Sequence, residues 1–90
     1  MNFRTQYEYA SERDVYDGLP IEAQDAICRI VRAERRISDA AHAILRLRRN
    51  SEQDQVRHIA AQLQDAESAL DGAKEDFNEF VIPHLPEGMR

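Results

Sequence analysis

Apolar side chains recur at alternating spacings of three and four along residues 20–82, in two runs separated by Asn50-Ser51-Glu52-Gln53-Asp54. In the first run one seam row is Ala23, Ile30, Ile37 and Ile44, and the other is Ala26, Ala33, Ala40 and Leu47. In the second run the rows are Val56, Leu63, Leu70 and Phe77, and Ile59, Ala66, Ala73 and Phe80. All sixteen seam positions are apolar in a chain that is 42% hydrophobic, so the pattern is not chance. A sustained heptad of this kind predicts two amphipathic helices that bury one stripe each.

Turn residues set the boundaries. Asp17-Gly18-Leu19-Pro20 reads as a turn entering a helix, with proline tolerated in its first turn. Asn50 suits a helix C-terminus, Ser51 suits the next N-cap, and Asp54 stands where an acidic residue supports that cap. Pro83 and Pro86 stop the second helix. The sequence therefore predicts one all-α domain: an N-terminal segment 1–19 with a short helix at about 11–17 capped by Ser11, a hairpin of helices 20–49 and 52–82, and a tail 83–90.

A short break between neighbouring helices implies that they run antiparallel. Aligning Leu47 with Val56 then sets Ile44 against Ile59, Ala40 against Leu63, Ile37 against Ala66 and Ala33 against Leu70. The same register sets Ile30 against Ala73, Ala26 against Phe77 and Ala23 against Phe80. Beyond the turn each large side chain faces an alanine, which allows close packing. This size matching is independent of the heptad itself. Thirty helical residues give a rod of roughly 45 Å.

Two helices with one stripe each leave apolar residues uncovered. Ile27, Val31, Val81 and Ile82 gather at the end away from the turn, with Leu85 near them, while Leu45 flanks the first seam elsewhere. The expected cover for the open end is twofold: the N-terminal Phe3, Tyr7, Tyr9, Val15, Tyr16 and Leu19, and a second copy of the chain. A homo-oligomer, with a two-fold dimer favoured, is expected to bury Ile27, Val31, Val81 and Ile82 and so complete a helical bundle.

Charge divides the rod. The net charge is −5, yet residues 20–49 carry seven arginines against four acids, while residues 52–82 carry eight acids against Arg57 and Lys74. Arg29 with Asp76, and Glu34 with Lys74, are placed to pair across the seam edge. Arg32, Arg35, Arg46 and Arg49, with His42, fall on the outer face. Most of these charges need no ligand, since a solvated face and the helix dipole account for them. Duplex binding normally comes with a basic domain, and here an acidic helix lies about 10 Å away. The expected role of the outer arginines is recognition of a protein partner, together with Tyr7, Tyr9 and Tyr16, because tyrosine and arginine are typical interface anchors. The alternative is a nucleotide or nucleic-acid binder or sequestering protein using the same groups, and a third class is a structural oligomerisation module.

Catalytic and metal chemistry find little footing. There is no Gly-rich phosphate loop, no Ser-His-Asp order and no CxxC. Asp39 and His42 share a face, but two ligands are too few to hold a metal. No enzyme activity, cofactor or metal is expected. Cys28, the sole cysteine, is expected on the outer face as a plain thiol. No run is long and apolar enough to span a bilayer, and MNFRTQYEYASERD has no signal-peptide core, so a cytoplasmic protein is expected. The function predicted from these features is non-catalytic: a small inhibitor or regulator that binds a larger protein complex, a form common among proteins carried by mobile elements.

Overall fold

The structure is a computed structural model that describes residues 2–47 and 53–90. It is an all-α helical hairpin with two short helices before it. The elements are α1 (Phe3–Ala10), α2 (Arg13–Asp17), α3 (Ile21–Arg46) and α4 (Gln53–Phe80), followed by 3-10 turns at Ile82–His84 and Glu87–Met89. The molecule measures 52 × 21 × 16 Å, and α3 lies against α4 along its length. The chain reversal expected at Asn50–Ser51, and Arg49 beside it, lie outside the described residues.

The heptads become the seam. Every seam position is buried or half-buried except Ile44 and Val56, which are 39% and 45% exposed. Leu47 adopts extended backbone (φ −69°, ψ 116°), so α3 ends at Arg46, one residue short of the last seam position expected in it. Arg29 and Asp76 pair across the seam edge, as their spacing predicts. Arg29 Nε also lies 3.0 Å from Asp25 Oδ2, at an angle that makes an ion contact but not a hydrogen bond. The Asp76 carboxylate, which accepts its hydrogen bond, raises the Arg29 pKa and holds the guanidinium charged.

The N-terminal segment departs from its expected form. Residues 3–10 are helical, started by the Asn2 side chain, whose Oδ1 accepts from the Thr5 N–H at 2.9 Å. Ser11 closes this helix, its N–H donating to Tyr7 O, and does not cap the next one; Glu12 takes that place. α1 lies along one side of the hairpin. Phe3 meets Phe77, Arg4 pairs with Glu34 at 3.2 Å, and Lys74 Nζ sits 4.8 Å from the centre of the Phe3 ring. The Glu34–Lys74 pair expected from the sequence is therefore replaced by contacts of each residue with α1.

The core sits at the open end. Ala10, Leu19, Ala23, Ala26, Ile27, Ile30, Ala73, Phe77, Val81 and Leu85 are buried together there. Cover that was expected in part from a second copy is supplied here within the chain. Ile27 and Val81 are 3% and 0% exposed within a single chain, and Ile82 is half-buried against the same core. Their cover is α1 on one side and the C-terminal turns on the other. Pro83 lies within the first 3-10 turn, which brings Leu85 inward. Gln6 Nε2 then donates to Met89 O at 2.8 Å, and Arg90 Nε donates to Leu85 O at 2.9 Å. Of the four residues only Val31, 39% exposed, remains open. Of residues 83–90, Leu85 thus joins the core and Met89 packs against it.

Candidate functional site: a hollow between α1, α2 and α3

Where α1 ends and α2 begins, the chain bends over the outer face of α3 and leaves a surface hollow of about 460 Å³. Its base is one face of α3. Ile27 and Val31, Cys28 and Arg32, and Val31 and Arg35 are each four residues apart, a spacing that puts them side by side on a helix. Tyr7 and Ser11 line it from the end of α1, and Tyr16 from α2. The hollow is open and shallow, so it can seat a projecting side chain but does not enclose a ligand.

The walls are held in place. The Tyr16 hydroxyl lies 3.1 Å from Cys28 Sγ, and Gln24 Nε2 donates to Tyr16 O at 2.8 Å, which ties the short α2 onto α3. Tyr7 stacks on Phe3 with centroids 5.8 Å apart, and the Arg4 guanidinium sits 5.7 Å from the Tyr7 ring centre. Burial, and next the nearby Glu34 carboxylate, push the Tyr7 phenol above its ordinary pKa. The hydrogen bond with Cys28 does most to raise that of Tyr16. Both rings therefore stay neutral at physiological pH and present apolar faces with a hydroxyl tip.

The arginines supply the charge. Among the described residues the ion pairs are Arg4–Glu34, Arg29–Asp25 and Arg29–Asp76. Arg32 and Arg35 are exposed and belong to none of these pairs. The hollow thus combines an accessible apolar base, two neutral tyrosines and two guanidinium groups that have no carboxylate partner among the described residues. Such a site can take an apolar group and pair with anions beside it.

Four of the seven residues expected to bind a partner meet here: Tyr7, Tyr16, Arg32 and Arg35. Ile27 and Val31, expected at an interface between copies, line the same hollow. Tyr9 is half-buried against the core and stands apart. Arg46, eleven residues beyond Arg35, lies about 16 Å further along α3. Arg49 is outside the described residues. Cys28 was not anticipated as a lining residue. Its outer-face position is right, but α2 folds over that face, and the one signal was that Cys28 lies a helical turn before Arg32.

A second groove follows the opposite edge of the seam, past Arg36, over Ala33, Ala40, Ala43, Ala69, Gly72 and Ala73. Its rim mixes Arg29, Arg32 and Arg36 with Asp39, Glu75 and Asp76, and it presents no large apolar or aromatic wall. Among the described residues, no three His, Cys, Asp or Glu side chains converge as a metal site would require, and no helix is long and apolar enough to cross a membrane. No known family model matches the chain, and no curated protein or solved structure matches it.

Proposed function

We propose that the protein is a non-catalytic binding module that acts in the cytoplasm by docking on a larger protein, as a small inhibitor or regulator of it. The observation that carries this reading is the hollow. Tyrosine and arginine are the residue types on which interface energy concentrates, and here two of each surround an apolar base on rigid helices. Arg32 and Arg35 make no internal ion pair among the described residues, so a partner's carboxylates would meet them without breaking a contact. The acidic α4 weighs against long polyanions, since a duplex seated on α3 would lie within about 10 Å of it.

The test sets the two partner classes side by side. Wild type and the Arg32→Gln/Arg35→Gln variant are each offered a native lysate, a mixed-sequence duplex, a single strand and a panel of nucleotides at physiological salt. The reading expects a protein that wild type retains and the variant releases, with no phosphate ligand bound tighter than about 10 μM. A nucleotide or nucleic acid bound below that value by wild type and lost by the variant would replace it.

A further inference from the structure

We propose that the hollow receives an acidic linear segment of its partner. One large apolar side chain enters between Tyr7 and Tyr16 and rests on Val31, and carboxylates flanking that anchor pair with Arg32 and Arg35. This rests on the protein-binding reading above and adds the chemistry of what is bound.

Three observations lead to it. The first is shape: a concave space of about 460 Å³, walled by aromatic rings and open onto the 39% exposed Val31, suits a side chain projecting from a narrow strand or helix. The second is spacing. Arg32 and Arg35 stand three residues apart on α3, which is about 4.5 Å along its axis. A segment with an acid a few residues to either side of its anchor can reach both guanidinium groups, and each can grip a carboxylate with two parallel hydrogen bonds. The third is what the hollow lacks. Phosphate sites usually recruit backbone N–H groups from a loop or helix N-terminus. Every lining residue here is inside a helix except Ser11, whose N–H is already donated to Tyr7 O at 3.0 Å. Recognition is left to side chains, two cationic forks and two neutral phenols, which favours carboxylates beside an apolar anchor over a phosphate.

A displayed library of random peptides, selected on the full chain, tests this. Arg32 and Arg35 are exposed and unpaired among the described residues, so a double Arg32→Glu/Arg35→Glu variant is expected to melt as wild type does. Peptides enriched on wild type should share a Leu, Ile, Phe, Tyr or Trp with Asp or Glu within four residues of it. Those enriched on the charge-reversed variant should carry Lys or Arg at the flanking positions. A wild-type-selected peptide should bind at least about tenfold more weakly to Arg32→Gln/Arg35→Gln and to Val31→Glu. Enriched peptides without acidic residues, or no enrichment at all, would overturn the inference. Acidic peptides that bind all variants equally would also overturn it, but they would place the contact elsewhere and leave the protein-binding function standing. Failure of that broader reading is seen separately, in the lysate and phosphate-ligand comparison.

Discussion

Phe3 meets Phe77 edge to face, with ring centroids 5.2 Å apart at 72°. One ring belongs to the first turn of α1 and the other is the largest fully buried side chain of the core. That contact makes α1 a third wall of the hairpin's open end, and it also positions Tyr7, which stacks on Phe3 from one turn further on. Phe3→Ala removes a half-buried ring and its aromatic contact, so it is expected to cost about 2–3 kcal/mol in a urea melt. It should also loosen the hollow. A melt unchanged by Phe3→Ala would mean that α1 does not cover the core.

The burial of Ile27 and Val81 within one chain makes a prediction about self-association. Ile27→Ala should lower stability by about 2–4 kcal/mol through lost packing. The loss should be the same at low and high protein concentration, because no second copy is needed to bury the site. A wild-type melt that shifts with protein concentration, or a loss that shrinks on dilution, would return Ile27 to an interface between copies.

Added size should act in opposite ways at Ala33, in the seam, and at Gly72, on the exposed side of α4. Ala33 is 2% exposed and faces Leu70 in the antiparallel register, so Ala33→Leu is expected to destabilise by about 1–3 kcal/mol. Gly72 is helical, and a Cβ there would meet nothing within 4 Å. Gly72→Ala should therefore stabilise by up to about 1 kcal/mol through helix propensity alone. Thermal or urea melts measure both effects, and a neutral Ala33→Leu would contradict the register.

These contrasts show what the sequence discloses and what it hides. The hairpin is legible because burial of one stripe per helix imposes a period that thirty residues repeat many times. α1 is harder to see. Its signal was an Asn2 cap followed by Phe3, Tyr7 and Ala10 at helical spacing, but eight residues give scarcely two turns, and Tyr9 and the buried Gln6 blur the stripe. The fate of Ile27 and Val81 depended on where α1 and Leu85 come to rest, which no local pattern states. The hollow was half legible for the same reason. Helical spacing puts Arg32 and Arg35 on one face, but only the fold of α1 and α2 brings Tyr7 and Tyr16 to them and leaves Tyr9 against the core.

The Tyr16–Cys28 contact is open to titration. A phenol whose folded pKa is raised is favoured in its neutral form, so its contribution to stability is whole below the ordinary tyrosine value of 10.0 and is lost as pH rises past it. Cys28→Ala removes the largest cause of the rise. The alkaline absorbance titration of the phenols is expected to shift downward in that variant, and stability is expected to become less sensitive to pH above 10.0. An unchanged titration would show that the Tyr16 hydroxyl does not engage the sulfur in solution.

A protein is expected to occupy the hollow. Incorporating a photo-reactive amino acid at Val31, on the accessible base of the hollow, and separately at Asp71, on the exposed face of α4, tests it most directly. After irradiation in a native extract, Val31 is predicted to give a covalent adduct that protease destroys and nuclease does not, while Asp71 gives none. An adduct destroyed by nuclease, or one formed from Asp71 and not from Val31, would show that the hollow is not a protein-docking site.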